Sequence, residues 1–369
     1  MIYLDHAATA LLKPVGVENA VVRAMRTMAS PGRGGYQASM RAADTVYGCR
    51  ELAARLFHLS EPEHVVFTMN ATHALNIAIR TLAREGSRVV VSGFEHNAVT
   101  RPLHALGAQL LVAGRRLFDP DDTLRAFADL LPGSDLAVCT VVSNVFGYIL
   151  PVWEIAELCA RNGVPLILDA SQAAGVLDLD FPRLGAEFLA MPGHKGLLGP
   201  QGTGLLLCRS KAEPLLFGGS GSESRSQEMP ADLPERLEAG TQNVCGIAGL
   251  AAGIEYVLRR GVRDILRHER QLLSDAVAAL QGRDCRLFTR GEGLQSGVLS
   301  LCPGRLECEE LAELLDERGV CVRSGLHCAP LAHESAGTLR TGTLRLSFSP
   351  LLSREQLNAA CKILGELLG

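Results

Sequence analysis

The stretch Val164-Pro165-Leu166-Ile167-Leu168-Asp169-Ala170-Ser171-Gln172 is an apolar run that ends in a carboxylate, and the next such run, Phe188-Leu189-Ala190-Met191, gives way to Pro192-Gly193-His194-Lys195-Gly196. Short runs that are apolar at every position read as strands buried on both faces, the mark of a parallel sheet covered by helices. Ligands of such sheets bind beyond the carboxyl ends of the strands, so Asp169 and Lys195 are expected at one edge. Burying an aspartate there is costly without a cation or hydrogen bonds. Asp169 therefore calls for a specific neighbour or ligand, unless it only caps a turn of the Ala-rich segment that follows.

Working outward, the same cadence gives strands at 65–68, 88–92, 109–112, 136–142 and 203–208, besides 164–168 and 188–191. Helical patterns at 72–83 and 153–161 separate some of them, the alternation of βαβ units. The expected architecture is α/β, with a seven-stranded, mainly parallel sheet in a large domain. Residues 212–236, with Gly218-Gly219-Ser220-Gly221 and Pro230 and Pro234, read as a loop. One long helix is expected over 247–280, bridging to a smaller α+β domain with strands at 298–302, 321–322 and 344–348 and helices at 309–317 and 354–368. The expected division is 14–250 for the large domain, and 1–13 with 251–369 for the small one.

Composition narrows the function classes. A chain of 369 residues that is 47% hydrophobic and 21% charged has ample core for two domains. With 36 basic against 40 acidic residues and a net charge of −4, it carries no electrostatic footprint for nucleic acid. No apolar run reaches membrane-spanning length, and the start Met1-Ile2-Tyr3-Leu4-Asp5-His6 lacks the basic and apolar regions of an export signal. Eleven scattered cysteines, with no Cys-x-x-Cys pair, suit a reducing cytoplasm. Ten of them are expected as small core residues.

Polar residues follow several strands. Asn70-Ala71-Thr72-His73 opens a helix, whose free N–H groups and dipole suit a phosphate; N-capping by Thr72 is the plain alternative. Glu95-His96-Asn97 and Ser143-Asn144 follow two more strands. A histidine after a strand is often structural, and a lysine beside glycines is often merely exposed. Together, however, a phosphate-binding helix start, a ring able to stack, an aspartate and a lysine at one edge are what pyridoxal 5′-phosphate requires. Lysine forms the Schiff base and aspartate keeps the pyridine nitrogen protonated.

On these residues the chain resembles the class V aminotransferases, fold type I of the pyridoxal-phosphate enzymes, and within them the cysteine desulfurase and selenocysteine lyase branch. The resemblance runs from Tyr3-Leu4-Asp5-His6-Ala7-Ala8-Thr9 through Glu95-His96-Asn97, Asp169-Ala170-Ser171-Gln172, Gly193-His194-Lys195 and Glu238-Ala239-Gly240-Thr241 to Arg323-Ser324-Gly325-Leu326-His327-Cys328-Ala329 and Leu344-Arg345-Leu346-Ser347. It implies that Lys195 holds the cofactor covalently, Asp169 pairs with the pyridinium, and His96 stacks on the ring and moves protons. By the same resemblance Gln172 bonds the phenolic oxygen, and Ala71, Thr72 and His194 hold the phosphate. Thr241 would reach the phosphate of the neighbouring subunit, which implies a homodimer with shared sites. Asn144 and Arg345, assisted by Arg323, would fix the substrate carboxylate, a task suited to the planar guanidinium fork.

Cys328 would be the sulfur-accepting nucleophile, exposed and mobile in a glycine-containing loop, and reactive as thiolate. The implied reaction takes L-cysteine to L-alanine and leaves a persulfide for a sulfur-acceptor protein. Alternatives are a selenocysteine lyase, another class V aminotransferase or lyase, and a non-catalytic scaffold that binds a sulfur-carrier partner. A metal site from Cys321, His327, Cys328 and His333 matches no familiar zinc spacing, and no metal is expected. Three positions depart from the family pattern: Pro192 replaces a phosphate-bonding serine, His73 an acidic residue, and Leu326 a second histidine.

Overall fold

In a computed structural model that describes residues 1–32, 34–291 and 293–369, thirteen strands form three sheets. In chain order they are β1 (Ile2–Tyr3), β2 (Val65–Thr68), β3 (Arg88–Ser92), β4 (Gln109–Ala113), β5 (Leu136–Thr140), β6 (Leu166–Asp169), β7 (Phe188–Pro192), β8 (Gly204–Cys208), β9 (Cys285–Phe288), β10 (Val298–Pro303), β11 (Val320–Cys321), β12 (Arg323–Gly325) and β13 (Thr343–Ser347). The large sheet has seven strands in the order β2-β8-β7-β6-β5-β3-β4. Only β8 runs against the rest, pairing antiparallel with both β2 and β7. Every residue of β5, β6, β7 and β8 is buried, which is why these strands read as unbroken apolar runs.

The second sheet is antiparallel, in the order β12-β13-β10-β9, and β1 pairs parallel with β11. Its core, with Leu299, Leu301, Leu344 and Leu346, is separate from the two clusters that line the faces of the large sheet. Leu4 belongs to this second core, so the N-terminal segment packs with the C-terminal unit. From there it passes the large sheet, where the Ala10 N–H donates to the His194 carbonyl at 2.8 Å.

The long helix expected over 247–280 is two helices, Val244–Arg260 and Val262–Leu280. Gly261 between them has φ +82°, a left-handed conformation that only glycine adopts without strain, and it ends the first helix. Val244–Arg260 buries Ile247, Leu250, Ile254 and Val257 in the larger core. Helices Val15–Thr27 and Gln37–Leu56 pack on it and were not expected from the sequence pattern. Cysteines divide less cleanly than expected: six are buried, Cys245, Cys285, Cys302 and Cys321 are half-buried, and Cys328 alone is exposed. Among the described residues no helix is long and apolar enough to cross a membrane.

Candidate active site

The carboxyl ends of β2, β3, β5, β6 and β7 surround a cavity of about 220 Å³. Ala71, Thr72, His96, Asn144, Asp169, Gln172, His194, Lys195, Arg323 and Arg345 all line it. The fold therefore brings together ten of the twelve residues singled out in the sequence, eight at the strand ends of the large sheet and Arg323 and Arg345 from the second sheet. Thr241 is exposed and lines a separate cavity of about 190 Å³ with Thr68, His73 and Gly202. Cys328 stands outside the lining, although its neighbour His327 is part of it.

On the sheet side each group has a local cause for its position. Helix Ala71–Leu82 is capped by Asn70, whose Oδ1 accepts from the His73 N–H at 2.9 Å. Thr72 is thus not the cap, and the first-turn N–H groups of Ala71 and Thr72 have no place in the helical ladder. Asp169, only 2% exposed, ends β6, and its Oδ1 accepts from the Ser171 N–H at 2.8 Å. Nδ1 of His96 accepts from the Ala98 N–H at 3.0 Å, which caps the next helix and leaves the proton of the neutral ring on Nε2. Glu95 beneath it accepts from Ser92 Oγ at 2.5 Å and from the Thr140 N–H at 2.7 Å, tying the ends of β3 and β5 together. This clamp was not read from the sequence, though Glu95 stood in the motif.

His194 is held through Nδ1 by Thr9 Oγ1 at 3.1 Å, and Gln172 donates one amide hydrogen to the Ala7 carbonyl at 2.9 Å. The N-terminal strap is therefore part of the site. Arg345, 1% exposed, makes an ion pair with Asp5 at 2.6 Å and donates to the Asn144 carbonyl at 2.9 Å, while its Nε has no partner among the described residues. Asn144 in turn donates to the His327 carbonyl at 2.8 Å.

The cysteine loop is tethered at the same place. The Asn97 N–H donates to the Cys328 carbonyl at 2.8 Å, and the Ala329 N–H to the Leu326 carbonyl at 2.9 Å. His327 and Cys328 both have positive φ, 47° and 57°, a strained conformation for two successive side-chain-bearing residues. Nη2 of Arg323 lies 3.9 Å from Sγ of Cys328. His327 bonds Thr343 and His333 bonds Thr338, and among the described residues no three metal-ligating side chains converge.

Burial sets the protonation states. It lowers Lys195 from 10.5 to about 8, against the pull of Asp169, so an appreciable share of the amine is neutral near physiological pH. His96 falls to about 4 and His194 to about 4, both chiefly by burial, so both rings are uncharged. Glu95 rises to about 8 for the same reason and is protonated at neutrality.

The family profile for class-V aminotransferases matches residues 2–359. The chain belongs to that family. The chain is 33% identical to a probable cysteine desulfurase of Methanothermobacter thermautotrophicus, over 100% of its own length and 95% of that protein. A cysteine desulfurase of Klebsiella pneumoniae is 30% identical over 98% of this chain and 88% of its own length. The solved apo structure of a cysteine desulfurase from Thermococcus onnurineus NA1 superposes with a TM-score of 0.91 at 30% identity, covering 100% of this chain and 94% of that one.

Class-V aminotransferases depend on pyridoxal 5′-phosphate. The donor set here fits that group. Free N–H groups of Ala71 and Thr72 suit its phosphate, the buried Asp169 carboxylate suits a pyridinium, and the depressed Lys195 amine suits its aldehyde. Pro192 at the end of β7 has no donor to add.

Proposed function

We propose that the chain is a pyridoxal-phosphate-dependent cysteine desulfurase that converts L-cysteine to L-alanine and leaves the sulfur as a persulfide on Cys328. The single observation that carries this reading is the pairing of a cofactor-type cavity, built on Lys195 and Asp169, with an exposed thiol beside an arginine at its mouth. The cysteine desulfurase relatives support it.

In this reading Arg323 and Arg345, with Asn144, receive the substrate carboxylate; Arg323 contributes a charge not already committed to a carboxylate among the described residues. When bound, the cofactor supplies an electron sink for the pair left when the α-proton departs. Nζ of Lys195 takes that proton, a role suited to an amine held near neutrality in affinity. His96, neutral and with its proton on Nε2, packs as an uncharged ring and donor against the cofactor. Sγ of Cys328, as thiolate, attacks the substrate sulfur: the S–S bond forms, the substrate Cβ–S bond breaks, and its electron pair stays with the carbon skeleton. Protonation from Lys195 and then the solvent completes alanine.

Gln172 and His194 bond the cofactor's phenolic oxygen and phosphate, and Thr241 completes the phosphate site of a neighbouring copy in a homodimer. Exposed Tyr36, Met40, Met69 and Phe217 supply apolar surface for such a partner. The persulfide passes to a sulfur-acceptor protein in the cytoplasm. The test is turnover of L-cysteine in the presence of a reducing thiol, which releases the persulfide's outer sulfur as sulfide, with alanine and sulfide measured together. Equal yields are expected, and Cys328→Ala is expected to abolish both while the visible absorption of the bound cofactor persists. Full activity in Cys328→Ala would overturn the proposal.

A further inference from the structure

The loop that carries Thr241 is held by a buried carboxylate that the proposed chemistry does not use. Glu238 is 8% exposed, and Arg50, on helix Gln37–Leu56, is 5% exposed. Nη2 of Arg50 forms an ion pair with Oε2 of Glu238, and its Nη1 donates to the Val65 carbonyl. Oε1 of Glu238 accepts from the Phe67 N–H at 2.6 Å. Val65 and Phe67 lie in β2, an outer strand of the large sheet whose other side pairs with β8. Backbone groups at a sheet edge must find partners elsewhere, and here they find Arg50 and Glu238. The Arg50 guanidinium also stands 4.4 Å from the centroid of the Phe67 ring.

The loop is fixed on the far side of Thr241 as well. Gln242 donates to Oε2 of Glu238 at 3.1 Å. Asn243 donates through Nδ2 to the Gly202 carbonyl at 3.2 Å and accepts through Oδ1 from the Gly246 N–H at 3.0 Å, which caps helix Val244–Arg260. Between these anchors Gly240 turns with φ +94°, and its N–H donates to the Gly219 carbonyl at 2.8 Å. Thr241 is thereby presented at the surface on a short segment tied at both ends. Its neighbours in the cavity of about 190 Å³ include His73, in the first turn of the helix that begins at Ala71.

An ion pair this buried is a poor source of stability, because taking two charges out of water offsets most of their attraction. What it supplies is a fixed position. A hydroxyl held in place before its ligand arrives binds with less loss of conformational entropy.

We propose that Glu238 is a positioning residue for the cofactor of the neighbouring copy: by tying residues 238–242 to the free edge of β2, it holds Thr241 where that copy's phosphate lies. The inference rests on the reading of Thr241 as the group that enters the neighbouring site. β2 keeps its ladder to β8 without Glu238, so removing this carboxylate loosens the loop and leaves the chain's own phosphate-binding helix start in place. Glu238 therefore acts on cofactor binding through Thr241 and across the interface.

Equilibrium dialysis of the holoenzyme against graded pyridoxal phosphate gives the dissociation constant. A hydrogen bond to a charged group sets the scale, so Thr241→Ala and Glu238→Ala should each raise that constant roughly 10- to 100-fold. The double variant should bind no more weakly than Thr241→Ala, since Glu238 then has nothing left to position. In a hybrid of Lys195→Ala with Glu238→Ala, the subunit with the intact Lys195 receives Thr241 from a loop that keeps its Glu238. That site, read by the visible band of the lysine-bound cofactor, should have wild-type affinity.

Wild-type affinity in the Glu238→Ala homodimer, losses that multiply in the double variant, or a weakened hybrid site would each overturn the proposal. Glu238→Ala leaves the Arg50 charge buried and unpaired. Should it not fold, Arg50→Met combined with Glu238→Leu removes tether and charge together and should show the same loss, and wild-type affinity there overturns the proposal. If Thr241→Ala alone binds as tightly as the wild type, the reading of Thr241 fails and the role of Glu238 falls with it. A loss in Thr241→Ala without one in the Glu238 variants sinks the role of Glu238 only.

Discussion

Arg323 and Arg345 face the same cavity from adjacent strands, paired across β12 and β13, yet only Arg345 is neutralised, by Asp5 at 2.6 Å. Arg323 has no carboxylate partner among the described residues and reaches instead to within 3.9 Å of Sγ of Cys328. One arginine is anchored, and the other is free to meet an incoming anion.

Replacing the free one should therefore act on binding. A hydrogen bond to a charged group contributes about 1.5–3 kcal/mol, so Arg323→Ala should raise KM for L-cysteine roughly 10- to 100-fold, with Arg323→Lys recovering part of the loss. Arg345→Ala should show a different defect. It leaves Asp5 without its cation, so its urea midpoint should fall along with its activity.

The low proton affinity of Lys195 predicts how the empty protein takes up pyridoxal phosphate. Only the neutral amine attacks an aldehyde, so the uptake rate should rise with pH through about 8 and level off above it. Stopped-flow absorbance measures this directly. A rise centred near the ordinary lysine value of 10.5 would contradict the assigned burial of that amine.

Glu95 carries a stability signature. Its carboxyl is pushed from 4.5 to about 8 in the folded state, mainly by burial, so the native protein holds this proton more tightly than the unfolded chain does. That contribution is fully present below pH 4.5 and is lost as pH rises through about 8. Glu95→Gln keeps a carbonyl acceptor for Ser92 and Thr140 and cannot ionise. Its Tm relative to wild type should therefore climb across that window, and a constant difference between the two would contradict the assignment.

Shared sites predict complementation. Lys195→Ala and Thr241→Ala should each be inactive or impaired as homodimers. Mixed and allowed to exchange subunits, they should regain activity, because one site of the hybrid then has both an intact Lys195 and an intact Thr241. No recovery in a demonstrated hybrid would show that Thr241 does not serve its neighbour.

What could be read from the sequence follows from burial. Strands β5 to β8, apolar on both faces, stand out as runs, and the polar residues just past them fall into one cavity because a parallel sheet aligns its carboxyl ends. Gly261 was the available signal that the pattern over 247–280 breaks, but helical periodicity continues on both sides of it. Asn70 as a cap was equally legible, since asparagine ranks above threonine in that place, but Thr72 sat closer to the periodic residues. The Asp5–Arg345 ion pair joins the two ends of the chain. No local pattern encodes contacts of that sequence separation.

The account turns on Cys328, and mass spectrometry after a single turnover tests it most directly. Holoenzyme given L-cysteine without an acceptor should gain the mass of one sulfur atom, mapped to the peptide carrying Cys328 and removed by a reducing thiol. Alanine released in equal amount with no added sulfur on Cys328, or with the sulfur on another of the eleven cysteines, would contradict the assignment.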